Sequence, residues 1–303
     1  MTKPTNQEDF ANLRSYLLKP SIANWACIKS SLRRWPKDTL QMAIDYTKEH
    51  LKSWPDSERT YPVYSVDELL EKPADWFMHH IATALTLRSM ESSKKEMTKL
   101  ANSPLLANIK VLHISKSYMG TSGLKALVNS KYISNLASLH INQDHIGIAG
   151  ANIIANSSNL TNLKELLLQD SRIEDEGAIA LVHSPNLSGL TSLRIYEEFI
   201  SDETVKALTT SSTLKHLESL GLYCNVIGDE GAIAIANAPN LSKLTYLNLN
   251  LNKIGDEGAK ALANASTLSN LKTLLFYDNK VGDEGKKALK HSKTLQNTVV
   301  EIL

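Results

Sequence analysis

An apolar pattern that returns every 27 residues constrains this chain more than any other feature. Its first position falls at Ile109, Leu136, Leu163, Leu190, Leu217, Leu244 and Leu271, with no insertion between copies. The stretch Leu163–Ile173 displays the unit as L-x-x-L-x-L-x-x-(N/S/D)-x-I. Alternating leucines spell a short strand, and the more widely spaced apolar residues that follow spell a helix. One such unit is too small to bury its own apolar side, so it must stack on its neighbours. From residue 109 onward the chain is therefore predicted to be an elongated α/β solenoid. About eight short parallel strands should line its inner face, with the helices outside.

The segment Leu244–Asn270 is the most regular copy. Leu244, Leu247 and Leu249 should point inward from a strand that pairs with its neighbours at about 4.8 Å. Asn252 stands where the chain leaves the strand, and there an amide side chain can satisfy backbone groups buried in the turn. Asn225 and Asn279 match it, whereas Ser117, Asp144, Ser171 and Glu198 do not. The ladder is accordingly expected to be less regular in the N-terminal half. Next comes Gly255-Asp256-Glu257-Gly258, in which Asp256 reads as a helix N-cap. The same aspartate returns at Asp175, Asp202, Asp229 and Asp283. Helix starts account for the recurring acids, so neither a calcium site nor a catalytic role is assigned to them. Ala259, Ala261 and Leu262 supply the inward side of the helix.

Both ends of the array differ from its middle. Leu85 and Leu87 lie one period before Leu112 and Ile114, and Lys99–Pro104 resembles the helix end Ile235–Pro239. Residues 82–108 thus read as a degenerate first repeat, followed by seven full repeats over 109–297 and a partial strand at 298–303. All four tryptophans, Trp25, Trp35, Trp54 and Trp76, precede residue 82. This shift in composition marks residues 1–81 as a separate, all-helical region that caps the open end of the core. Phe10, Leu13, Leu17 and Leu18 have helical spacing and Pro20 stops them. Further helices are expected over 21–34, from Pro36 through Leu51, at Val66–Glu71 and near Trp76–Leu87, with a loop at 55–62. Trp35 and Trp54 each precede a proline and are assigned to a small core. At the other end, the strand at 298–303 would leave an exposed edge, which invites a weak homodimer.

The phrase Asn225-Val-Ile-Gly-Asp-Glu-Gly-Ala-Ile-Ala-Ile-Ala236, with its equivalents in neighbouring copies, resembles the helix-containing leucine-rich repeats of the ribonuclease-inhibitor class. It is most similar to bacterial arrays built on N-x-I-G-D-E-G-A-x-A-L-A. The likeness covers 82–303 and implies a concave surface that grips another protein. The class also includes GTPase-activating proteins, immune receptors and bacterial effectors. An effector or regulator acting through residues 1–81 is therefore the alternative reading.

Net charge is +1, so a general nucleic-acid or membrane-surface binder is not indicated. Two isolated cysteines, Cys27 and Cys224, suit a reducing compartment. The polar N-terminus lacks a secretory core. A cytoplasmic location is expected, with export as an effector left open.

Strand positions that face away from the core stack in rows across a parallel sheet. Counting the first leucine as position 1, these rows hold Tyr196, Tyr223, Tyr246 and Tyr277, with Leu251 and Leu275 beside them. Arg194 joins them, and Asp170, Glu197, Glu198 and Asp278 give an acidic edge. Aromatic residues with apolar neighbours and a charged rim have the composition of a protein-binding surface. The candidate site is therefore Tyr196, Tyr223, Tyr246, Tyr277, Leu251, Leu275, Arg194, Glu197, Asp170 and Asp278. His113 and His140 should be neighbours on adjacent strands. Without a third ligand they read as a solvated pair and not a metal site. His79 and His80 would point to different faces of a helix. No phosphate-binding loop, nucleophile elbow or metal-binding His-Glu helix occurs, so no catalytic residue and no cofactor is assigned. Arg194 is the one arginine on the mapped rows that a GTPase-activating role could use.

Overall fold

The computed structural model describes residues 6–55, 59–63, 66–71, 82–88 and 94–302. The described N-terminal elements are α1 (Asn6–Leu17), α2 (Ile22–Arg33), α3 (Leu40–His50), β1 (Thr60–Val63) and α4 (Val66–Glu71). The strands of the array are β2 (Ala84–Arg88), β3 (Val111–Ser115), β4 (Ser138–Asn142), β5 (Glu165–Gln169), β6 (Ser192–Tyr196), β7 (Ser219–Gly221), β8 (Tyr246–Asn248), β9 (Thr273–Leu275) and β10 (Val299–Glu301). Its helices are α5 (Lys94–Ala101), α6 (Gly120–Val128), α7 (Gly147–Ala155), α8 (Glu174–Val182), α9 (Asp202–Thr210), α10 (Asp229–Ala236), α11 (Asp256–Ala263) and α12 (Asp283–Lys290).

All ten strands form one parallel sheet in sequence order. The register steps by one period, so Leu112 pairs with Leu139 and His113 with His140. In every full repeat the residues at positions 4 and 6, such as Leu166 and Leu168, are completely or almost completely buried. Strand neighbours need only about 4.8 Å, while packed helices need about 8–10 Å. The stack must therefore bend with the sheet on its inner, concave side.

The N-terminal region supplies more than helices. Thr60–Val63 overlaps the segment 55–62 read as a loop, yet it forms β1, pairing Tyr61 with Leu85. Without it, β2 would be the edge. Pro62 is tolerated because an edge strand has one side that needs no donor. Residues 84–88 form a strand, so the helix expected through Leu87 does not extend that far. The sheet therefore has ten strands and not about eight. Trp25, Trp35 and Trp54 are buried, and the Trp54 indole Nε1–H donates to the Leu17 carbonyl at 3.2 Å. Phe10 meets Trp35 edge-on at 4.9 Å. Leu13 and Leu17 join this core, but Leu18 is exposed. Trp76, His79 and His80 lie outside the described residues.

The repeated aspartates do something other than cap their own helices. Asp256 is the first residue of α11, whose N-cap is Gly255 and has no side chain to offer. The cap comes instead from the preceding repeat. Asp229 Oδ1 accepts from Gly255 N–H at 2.7 Å and Gly258 N–H at 2.8 Å. Asp202 does the same for Gly228 and Gly231, and Asp256 for Gly282 and Gly285. Asp175 accepts from the Ser201 N–H and from the hydroxyls of Ser201 and Thr204. Glycine suits this contact, because a Cβ on Gly258 would sit 2.7 Å from Asp229 Oδ1 as well as 2.5 Å from Ile254 Cγ2.

The turn after each strand comes in two forms. In the three C-terminal repeats, Asn225, Asn252 and Asn279 bridge buried backbone groups of two successive turns. Asn225 Oδ1 accepts from Glu198 N–H and Ile200 N–H, while its Nδ2 donates to carbonyls including Ile195 at 2.8 Å. In the four N-terminal repeats a serine precedes a carboxylate. Asp144 Oδ1 accepts from the Ser117 N–H and hydroxyl, and Glu198 accepts from Ser171 N–H and Ile173 N–H. The backbone changes with the side chain. Position 8 is left-handed in all seven repeats, but position 10 is left-handed only in these four, at Tyr118, His145, Arg172 and Phe199. The expected irregularity of the N-terminal half is thus a second turn conformation.

Candidate protein-binding face

Positions 3, 5 and 7 project from the side of the sheet that the helices leave uncovered. Tyr196 ends β6, Tyr246 opens β8, and Tyr223 and Tyr277 stand just beyond β7 and β9. All four rings are half-buried. Tyr196 and Tyr223 meet edge-on, with centroids 5.7 Å apart and planes at 76°. The Tyr196 ring lies across the next strand at Gly221, where a Cβ would come within 2.5 Å of its hydroxyl oxygen. Glycine at position 5 therefore lets this ring lie against the sheet. Burial, foremost, raises the Tyr196 hydroxyl to about 12. The tyrosines are consequently less free than exposed strand positions would be. Tyr196 in particular is part of the packed surface.

Leu251 and Leu275 flank the rings and are half-buried, Leu251 at a left-handed φ of 54°. Asp170, Glu197 and Asp278 take the same left-handed position 8 in their repeats. Glu197 Oε1 accepts from Gln169 Nε2 at 2.7 Å. Glu198 is not part of the edge: it is fully buried in the turn ladder. Burial raises its carboxyl to about 7 against three backbone hydrogen bonds that favour the charged form.

Arg194 belongs to a second cluster, toward the N-terminal half of the face. Its Nη1 donates to Glu165 Oε1 at 2.6 Å. Glu165 Oε2 lies 3.4 Å from His140 Nε2 and accepts from the Ser138 hydroxyl at 3.1 Å. The hydrogen bond with His140, the His140 charge and Arg194 outweigh burial and hold Glu165 at about 2. His113 stacks on His140 at 4.4 Å, and burial, then His140, lowers it to about 4. The pair is thus stacked and partly buried, not freely solvated. Among the described residues no group of three or more His, Cys, Asp and Glu side chains could hold a metal ion.

Ser138, His140 and Glu165 are the residue types of a hydrolytic triad, but their geometry is different. The serine hydroxyl, at 3.0 Å, and the carboxylate both approach the same imidazole nitrogen, Nε2. A triad needs the base oriented through one nitrogen and the nucleophile on the other. Ser138 and Glu165 share position 3 of adjacent repeats, and the repeat pattern alone does not show that their row interlocks with the position-5 row of His140 and Arg194. The N-terminal region borders a cleft of about 310 Å³ whose wall includes Lys48, Arg59, Thr83, Asn108, Lys110 and Asn135. No carboxylate, imidazole or thiol lines it among the described residues.

The leucine-rich repeat family profile matches residues 159–182, 213–236 and 240–263, each spanning one strand and the helix that follows it in the stack just described. These three segments are leucine-rich repeats. Among solved structures, this chain is similar to a protein from Bacteroides fragilis, with 16% identity over 79% of this chain and 69% of that one, at a TM-score of 0.45. It is also similar to a chain in the complex of Rad7 and Elc1 from yeast, with 12% identity over 97% and 92% and a TM-score of 0.35. An internalin from Listeria monocytogenes gives 20% identity over 79% and 88%, at a TM-score of 0.35. No curated protein matches the sequence. Among the described residues, no helix is long and apolar enough to cross a membrane.

Proposed function

We propose that this chain is a non-catalytic interaction module that binds a protein partner on its concave face, with residues 1–81 closing the N-terminal end of the array. The observation that carries the reading is the cluster of Tyr196, Tyr223, Tyr246 and Tyr277. Four half-buried aromatics on the uncovered side of one sheet offer large apolar area at low entropic cost, with hydroxyls left for hydrogen bonds. The core has no need of them, because Leu220, Leu247 and Leu274 already fill the inward positions. Arg194, held by Glu165, would have to leave that pairing before serving as a finger in a GTPase-activating role. With free cysteines at Cys27 and Cys224, we place the protein in a reducing compartment.

The test is quantitative binding of the full chain to its native protein partner. Tyr223→Ala with Tyr277→Ala should weaken binding by about tenfold or more, as loss of aromatic anchors does. Lys206→Ala with Lys260→Ala, on the convex helices, should leave it unchanged. Equal binding by both variants and the parent would move the site off this face. Loss of binding on altering the cleft residues Lys48 and Lys110 alone would favour a role through the N-terminal region.

A further inference from the structure

The tyrosine cluster has an electrostatic asymmetry that specifies what can lie on it. Three carboxylates, Asp170, Glu197 and Asp278, stand on the position-8 row beside Tyr196, Tyr223 and Tyr277. None of them has a cation within ion-pair distance among the described residues. The one arginine on these rows, Arg194, is already neutralised by Glu165 at 2.6 Å. Lys253 and Lys280 stand two positions further along, on the loop, and form no ion pair there among the described residues.

The aromatic groups register the same field. Partial burial raises the Tyr223 hydroxyl, and Tyr277, Cys224, Glu197 and Asp278 add to the shift. Burial and then Glu197 raise the Cys224 thiol. Ring faces attract cations through their quadrupole, and carboxylates at the ring edges add a direct charge term. An anionic segment laid on this face would meet three uncompensated like charges. A neutral one would further desolvate Glu197 and Asp170, both half-buried, without supplying a cation.

We infer that the C-terminal half of the concave face receives an extended protein segment bearing lysine or arginine side chains, seated on Tyr196, Tyr223 and Tyr277 and paired with Asp170, Glu197 and Asp278. This rests on the proposed protein-binding role and narrows the partner to one chemistry. The occupant is a cationic segment and not a helix-forming apolar one. Carboxylates bound the ring cluster at both ends, Asp170 and Glu197 at one and Asp278 at the other, whereas an amphipathic helix would need an apolar stripe that runs on past them.

The experiment is selection of twelve-residue peptides from a random display library on the immobilised full chain, followed by titration of the synthetic peptides. Binding is then measured to the parent, to Tyr223→Ala with Tyr277→Ala, and to Glu197→Gln with Asp278→Asn. The expected result is enrichment of lysine and arginine among peptides that the tyrosine variant fails to bind. The amide variant should bind these about tenfold more weakly, and raising salt from about 0.05 to about 0.5 M should weaken the parent's binding severalfold. Tyrosine-dependent peptides with no cationic enrichment, or indifferent to the amide changes, would overturn this inference and leave the protein-binding face standing. Peptides that bind all variants alike would overturn both.

Discussion

Replacing Asp229 by alanine should destabilise the array through a helix to which Asp229 does not belong. Its carboxylate is the acceptor for two backbone donors at the start of α11, Gly255 N–H and Gly258 N–H. Gly255 is half-exposed, so water can take over that bond at a loss of about 1 kcal/mol. Gly258 is buried, and an orphaned buried donor costs about 1–3 kcal/mol. The expected loss is therefore about 2–4 kcal/mol, larger than for removing an ordinary N-cap. Urea unfolding should be followed by two probes. Far-ultraviolet circular dichroism reports the whole chain. Tryptophan fluorescence reports the N-terminal region alone, where all four tryptophans lie. Weakening one interface in a linear array should separate the two transitions, because each repeat leans only on its neighbours. Adding Gly255→Ser should restore part of the loss by supplying a cap from within. Ser201 already occupies that place at α9, accepting from Glu203 N–H while donating to Asp175. A loss below about 0.5 kcal/mol, or no rescue by serine, would refute capping between repeats.

Four other outcomes follow from the same geometry. Glu198 titrates near 7 when folded and about 4.3 when unfolded. Its contribution is thus complete below the lower value and lost as pH rises through the higher, by roughly 4 kcal/mol at most; Glu198→Asn should flatten that fall in pH-dependent urea titrations. Burial also raises the carboxyl of Asp144, whose Oδ2 is buried without a partner; Asp144→Asn should raise the thermal midpoint at pH 8 more than at pH 4. Tyr196→Ala should cost about 1–2 kcal/mol in stability, unlike Tyr223→Ala, because its ring is packed over Gly221. For the edge strand β10 we propose a weak homodimer. Lys286 and Lys290, beside Val300 and Ile302 in that end of the array, should make it tighter with added salt in sedimentation, and a strict monomer at every salt concentration would remove it.

The periodicity made the array legible from Ile109 to Leu295, since one leucine every period specifies strand, register and inward face together. Leu85 and Leu87 extended it one repeat further. What the pattern could not carry was β1. Thr60–Val63 shows no alternation of leucines, and it is a strand because β2 would otherwise present an open edge. The tyrosine rows were legible for the same reason as the core, because a fixed period aligns equivalent residues. Their burial was not, because Tyr196 depends on the absence of a side chain at Gly221, one strand away.

The same limit explains the misread aspartate. Within one copy, G-D-E-G places an acid at a helix start, and local chemistry makes it a cap for that helix. In the folded chain, the acceptor and its donors are 26 and 29 residues apart. A residue that serves the next repeat is indistinguishable, by period alone, from one that serves its own. The glycines do not break the tie, because Gly123, Gly150 and Gly177 hold the same position with no carboxylate arriving, their Cβ space being taken by apolar side chains. At Gly231, Gly258 and Gly285 the incoming aspartate adds a second contact, 2.5, 2.7 and 2.6 Å from a Cβ, to the isoleucine or valine that already crowds it. At the equivalent position in α9, where Ser201 shares the load, the residue is Thr204, whose hydroxyl donates to Asp175. Repeat-to-repeat coupling is thus written in pairs, an acceptor in one copy and a space or a donor in the next. Gly258→Ala should therefore destabilise despite improving helix propensity, and Asp229→Ala in that background should cost less than it does alone.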